Sequence, residues 1–355
     1  MPTTRANVNA YDAVQAMLAA MPARLQFSGS TQADYCAWRS HLLPAYLASL
    51  GPWPESVPLQ PELAEETDCG SHRRLRLYYN SSPGVTVPAY LLLPKSLAAG
   101  ERRPALIACH GHGDGIYNDG KDDLVGLGLD DPDRAASIRS QNLDYAKQAV
   151  ELGYVVIVPD WLPFGERRAP AEWVREGRDP CNVVGMAWQY LGYTLLAQNI
   201  WDGMRAVDIL AARPEVDPSR IGVIGLSYGG TMAMHLAIND PRLKVAVISG
   251  YISTVRGDAI TMRGAANFCG SQHLPGLLRY GDIPDLAGLI APKPLLAQAG
   301  QKDSCFIIED VRPAVQRLQA IYEAAGCAER LTYDEHPYEH SWHGAQAWPW
   351  LERWL

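Results

Sequence analysis

No part of this chain restricts its possible folds more than Gly225-Leu226-Ser227-Tyr228-Gly229-Gly230. The segment directly continues the apolar run Ile221–Leu226 and runs into a helical stretch, Thr231–Asn239. A Gly-x-Ser-x-Gly turn between strand and helix holds its serine in strained backbone geometry, and its small flanking residues let strand and helix approach. The serine then stands above the carboxyl edge of a sheet. Other strand-sized runs supply that sheet: Ala105–Cys109, Tyr154–Pro159, Leu243–Ser249, Pro294–Ala299 and Arg330–Asp334. Between them lie helical patterns, such as Gln198–Ala212 and the stripe Val311, Val315, Leu318 and Tyr322 ending at Gly326. Strands alternating with helices of this length predict an α/β fold, a mainly parallel sheet covered on both faces.

The first part of the chain reads differently. Tyr35–Leu50 has helical spacing and stops at Gly51, and the proline-rich run from Gly51 to Pro61 is a surface linker. Arg74–Tyr79 and Val85–Leu93 flank a turn and predict a hairpin. The expected organisation is therefore a helical extension and linker over residues 1–60, then one α/β domain over 61–355. A bare sheet with its helices needs only about 250 residues. The surplus falls in the extension and in insertions near 114–132, 161–187 and 251–290, the last carrying Arg256, Arg263 and Asn267. Long loops in compact domains tend to be functional, so these are expected to cap the substrate pocket.

Composition excludes several function classes. A net charge of −8 with no basic block argues against nucleic acid and anionic membrane as partners. No apolar run is long enough to span a bilayer, and Asp12 and Gln15 interrupt the early apolar stretch that a signal peptide would need. Seven cysteines, odd in number and without a C-x-x-C, indicate neither a disulfide framework nor a structural zinc site. A cytoplasmic location is the expectation.

A serine is a poor nucleophile without a base oriented by an acid. Asp303, in the turn after Pro294–Ala299, is the candidate acid; Glu309 and Asp310 are rivals that fall inside the following helix. The base comes from the cluster His336, His340 and His343. His336 precedes Pro337 and ends a strand, His343 opens the final helix, and His340 lies in the loop between them and is preferred. Oxyanion stabilisation needs backbone N–H groups aimed at the developing charge. Tyr228, next after the serine, offers one, and His112 in His110-Gly111-His112-Gly113 offers the second. His110, Trp161 and Trp342 are candidate substrate contacts, with Trp173, Trp188 and Gly165-Glu166-Arg167 nearby; buried packing is the alternative fate of these tryptophans.

With Pro104–Gly113, Gly153–Asp160, Gly222–Gly230, Leu289–Leu296, Asp303 and His340-x-Trp342, the chain resembles the α/β-hydrolase superfamily. Within it, it resembles the acetyl xylan esterase and dienelactone hydrolase-like branch of bacterial serine esterases. The resemblance runs from about residue 85 to the end, and relatives often carry an aromatic residue where Trp342 stands. It implies the α/β-hydrolase fold and ester hydrolysis through an acyl-enzyme, with neutral acetylated carbohydrate or aryl esters as substrates and no cofactor. Ser227 occupies the place of the cysteine of true dienelactone hydrolases, which argues against dienelactone as substrate.

Three rival readings remain. Ser-Tyr-Gly-Gly is also similar to prolyl oligopeptidase-type peptidases, for whose propeller domain 355 residues leave no room. His110-x-His112-x-Asp114 echoes a metallohydrolase ligand run, but Gly115 stands where a further histidine would be needed. A non-catalytic binding protein on the same fold is the third.

Overall fold

The computed structural model describes residues 9–113, 120–258 and 268–355; Asp114, Gly115, Arg263 and Asn267 lie outside them. Nine strands form one sheet: β1 (Glu62–Asp68), β2 (His72–Ser82), β3 (Val85–Pro94), β4 (Arg103–Cys109), β5 (Val155–Pro159), β6 (Val216–Leu226), β7 (Leu243–Ser249), β8 (Leu295–Gly300) and β9 (Leu331–His336). Their spatial order is β1-β2-β3-β5-β4-β6-β7-β8-β9. β1, β2, β3 and β5 pair antiparallel, and every pairing from β5 through β4 to β9 is parallel.

The central strands are continuous apolar runs because both faces are covered. In β4, Ala105, Ile107 and Cys109 face one core, with Leu106 and Ala108 facing the other. The first core lies under the helices Gln32–Leu50, Leu195–Ala212, Tyr228–Asn239 and Ile308–Ala324. The second lies under Tyr145–Glu151 and the terminal helix Gly344–Trp354. β1 was not foreseen. Its residues are almost all exposed, so no burial alternation marks it.

The helix Gln32–Leu50 is built into the first core. Leu42, Tyr46 and Leu50 are at most 1% exposed, each worth about 1.5–3 kcal/mol of burial. Tyr46 Oη meets His235 Nδ1 on the helix Tyr228–Asn239 at 2.8 Å, Tyr35 Oη donates to Ala291 O at 2.8 Å, and Phe27 N donates to Asp285 Oδ1 at 2.9 Å. Among the described residues, no helix is long and apolar enough to cross a membrane.

Candidate active site

At the carboxyl end of β6 the chain reverses directly into the helix Tyr228–Asn239. Ser227 caps that helix with φ 61° and ψ −123°, a left-handed-side conformation that costs a non-glycine residue of order 1–3 kcal/mol. Crossing so closely needs hydrogen atoms in place of side chains. A Cβ on Gly225 would lie 2.1 Å from Gly229 O, and one on Gly229 would lie 1.9 Å from Cys109 O. Ser227 N donates to Ser249 O at 3.0 Å, fixing the turn against the end of β7.

Asp303 follows β8 and is 6% exposed. Its Oδ1 accepts from the N–H groups of Cys305 (2.7 Å) and Phe306 (3.0 Å). Its Oδ2 lies 2.7 Å from His340 Nδ1. With Nδ1 donating to that carboxylate, Nε2 of His340 carries the lone pair. Among the described residues this buried Nε2 has no hydrogen-bond partner. His340 stacks on Phe306, 5.9 Å between ring centroids, and shares a cavity of about 500 Å³ with Ser227. Of the rival acids, Glu309 and Asp310 lie in the first turn of the helix Ile308–Ala324. His343 pairs instead with Asp334 Oδ2 at 2.6 Å, and His336 is buried at the end of β9.

Tyr228 and the loop after β4 border the same serine. As the first helical residue, Tyr228 has an N–H without an intrahelical acceptor. Among the described residues nothing accepts from the His112 N–H, and Gly111, His112 and Gly113 line the cavity. Ser140, Gln141, Asp179, Ser304 and Glu339 give the cavity a polar lining. At Cys269 it meets a second cavity of about 650 Å³, bounded by apolar groups including Met17, Leu18, Met186, Phe268, Leu274 and Leu277.

The expected substrate contacts require correction. Trp161 is fully buried, and its backbone N–H donates to His110 Nε2 at 3.0 Å. His110 is 1% exposed, with its other nitrogen 2.8 Å from Gly111 O. Burial drives the His110 pKa down to about 3, so the ring is neutral and holds the loop after β4 to the end of β5. Trp342 is 2% exposed and stacks on Tyr145 at 4.7 Å. All three are held by packing, and none lines the cavity that contains Ser227.

Glu166 and Arg167 are likewise committed. Lys121 Nζ, 1% exposed, bridges Asp160 Oδ2 (2.8 Å) and Glu166 Oε1 (2.6 Å), while Arg76 Nη2 reaches Glu166 Oε2 at 2.6 Å. Burial opposes ionisation of Glu166, yet the bonds from Arg76 and Lys121 draw its pKa down to about 2. Arg167 Nη1 bonds Asp202 Oδ2 at 2.7 Å.

Three residues at the site escaped the sequence reading. Phe306 sits three positions after the candidate acid, a signal that was available. Cys269 and Cys181 were invisible as a pair because they are 88 positions apart. Cys269 Sγ lies 3.2 Å from His112 Nε2 and 2.9 Å from Ser271 Oγ. Its thiol is held well below the ordinary range by bonds from Cys181 and His112, and that of Cys181 is correspondingly raised.

Comparisons with known proteins agree with this architecture. Residues 3–347 match the model of the Abhydrolase family. The chain is 29% identical over 243 residues to "Putative hydrolase YtaP" of Bacillus subtilis (strain 168), covering 68% of this chain and 74% of that one. Its fold is similar to that of a "putative acetyl xylan esterase" from Bacteroides fragilis, with TM-score 0.75 and 18% identity over 95% of this chain and 84% of that one. It is also similar to a CE15 glucuronoyl esterase from Teredinibacter turnerae, with TM-score 0.63 and 19% identity over 95% and 89% of the two chains. The strained strand-to-helix turn at Ser227, the mainly parallel sheet and the family match converge on one statement: the chain belongs to the Abhydrolase family and has the α/β-hydrolase fold.

Proposed function

We propose that this protein is a serine carboxylesterase acting on neutral esters of polar molecules, acylated carbohydrates foremost. One observation carries the reading. His340, backed through Nδ1 by Asp303 and with no partner for its Nε2 among the described residues, lines the same cavity as the strained Ser227.

In the proposed reaction Nε2 takes the Ser227 hydroxyl proton as Oγ attacks the ester carbonyl. Asp303 orients the ring and stabilises its cation, and the N–H groups of Tyr228 and His112 hold the oxyanion. Collapse expels the alcohol, which receives the proton from Nε2 and leaves an acyl-serine. Water, deprotonated by the same nitrogen, releases the acid and restores Ser227. The polar residues lining the cavity support a hydroxylated leaving group, and two similar structures bear the names of carbohydrate esterases.

Ser227→Ala tests the assignment. It is expected to lower kcat on an acetylated sugar or aryl acetate by on the order of 10⁴-fold or more and to abolish labelling by a fluorophosphonate. Near-normal turnover by the variant would overturn it.

A further inference from the structure

The proposed reaction uses the backbone of His112 but neither its ring nor the two thiols beside it. His112 Nε2, Cys181 Sγ and Cys269 Sγ all lie within 4.8 Å of one another, and Cys181 is buried. They come from three separate segments: the loop after β4, the start of the helix Pro180–Tyr190, and the segment that follows residue 267. We propose that these three side chains form a binding site for a thiophilic divalent cation of the Zn²⁺ and Cd²⁺ type, set in the wall of the catalytic cavity.

The geometry fits that chemistry. Zn–S bonds near 2.3 Å and Zn–N bonds near 2.0–2.1 Å in a tetrahedron put neighbouring donors roughly 3.5–3.8 Å apart. The His112–Cys269 separation of 3.2 Å and the 4.8 Å bound on the other pairs need shifts of only about 1 Å. Thiolate and imidazole donors select this class of cation over Mg²⁺ or Ca²⁺, which prefer oxygen. The scaffold presses the thiols together through bare backbone. A Cβ on Gly270 would lie 2.4 Å from Cys181 O, one on Gly185 would lie 2.8 Å from Gly270 O, and Gly270 N donates to Asn182 Oδ1 at 2.8 Å. The aromatic faces of Phe164 and Tyr228, 5.2 and 5.1 Å from the His112 ring, hold the imidazole at its angle. Both His112 and Cys269 border the cavity, so a fourth ligand position is available to water or to a substrate oxygen.

The test titrates the reduced full-length protein with CdCl₂ and follows the ultraviolet thiolate-to-cadmium charge-transfer absorption, a readout independent of catalysis. Saturation at one equivalent is expected, with reversal by one equivalent of Zn²⁺. Cys181→Ser and Cys269→Ser should each remove at least half of the band, and His112→Gln should weaken affinity tenfold or more while leaving the band. Cys305→Ser, which alters the thiol beside Asp303, should leave the titration unchanged. Circular dichroism and thermal melting establish that each variant is folded, and the two cysteine variants are independent of one another. A band that survives both cysteine changes, or that is lost with Cys305→Ser, would overturn the proposal. So would the absence of any band in the wild-type protein.

Discussion

Two histidine–aspartate pairs stand within one short stretch of this chain, and by bond length they are nearly the same. His340 Nδ1 meets Asp303 at 2.7 Å and His343 Nδ1 meets Asp334 at 2.6 Å. Their surroundings separate them. Asp334 belongs to β9 and also accepts from Gln298 Nε2 at 2.8 Å, while the His343 ring packs on His336 and Tyr338 and its residue caps the terminal helix. Asp303 lies beyond the end of β8, and its histidine lines the cavity that contains Ser227, with no partner for its second nitrogen among the described residues. A His–Asp bond is thus a common way to fix an imidazole, and what separates the two pairs is the cavity that the first of them borders.

The largest effects should split the pairs. His340→Ala is expected to lower kcat by on the order of 10⁴-fold, with His343→Ala staying within about tenfold; steady-state kinetics on an aryl acetate measures both, and reversed results would exchange the roles. Next, Asp303→Asn should lower kcat roughly 10³–10⁴-fold by spoiling the orientation and tautomer of its histidine. Asp334→Asn should leave kcat within about threefold but cost about 1–3 kcal/mol in urea unfolding, because the anionic oxygen that His343 and Gln298 share is replaced by a weaker, neutral amide acceptor. A smaller effect is expected at Gly250, which has φ +54° and faces only the first pair: a Cβ there would lie 2.8 Å from His340 Cε1. Gly250→Ala should lower kcat about 10–100-fold through displacement of the base, and an unchanged kcat would show that the ring tolerates movement.

Buried histidines outside both pairs behave differently: His235 packs on Tyr46, and His110 keeps Asp160 Oδ1 at 3.8 Å, beyond hydrogen-bond reach. Burial drives the pKa of His110 and of His235 down to about 3. The unfolded chain, with an ordinary value near 6.5, takes up these protons first as pH falls, so stability is lost from about pH 6.5 downward. Each should cost about 2 kcal/mol at pH 5 relative to pH 7. Urea midpoints at the two pH values measure this, and equal midpoints would contradict it.

What could be read from the sequence followed burial on both faces. β4, β5 and β7 are apolar but for Arg103, Lys244 and Ser249 and were located to within two residues, whereas β1 carries polar residues toward solvent on both sides and left no period to detect. The nucleophile turn was legible because its glycines are demanded by local contact. The tryptophans were not, since a Trp at a strand's carboxyl end reads alike whether it lines a pocket or, as with Trp161, fills the core. Between His340 and His343 the sequence offered loop position alone. The direction of the His340 ring is set by Asp303, 37 residues away in the chain.

The hydrogen bonds that fasten the N-terminal helices also bear on how the chain is made. Phe27, Tyr35 and Tyr46 find their partners 258, 256 and 189 residues downstream. During synthesis the helix Gln32–Leu50 therefore waits, its apolar face uncovered, until most of the sheet has been translated. Contacts of such long sequence separation slow folding and prolong exposure of aggregation-prone surface. A helix made before the sheet is thus secured only after most of that sheet exists, and in the interval its apolar face must be kept from meeting another chain.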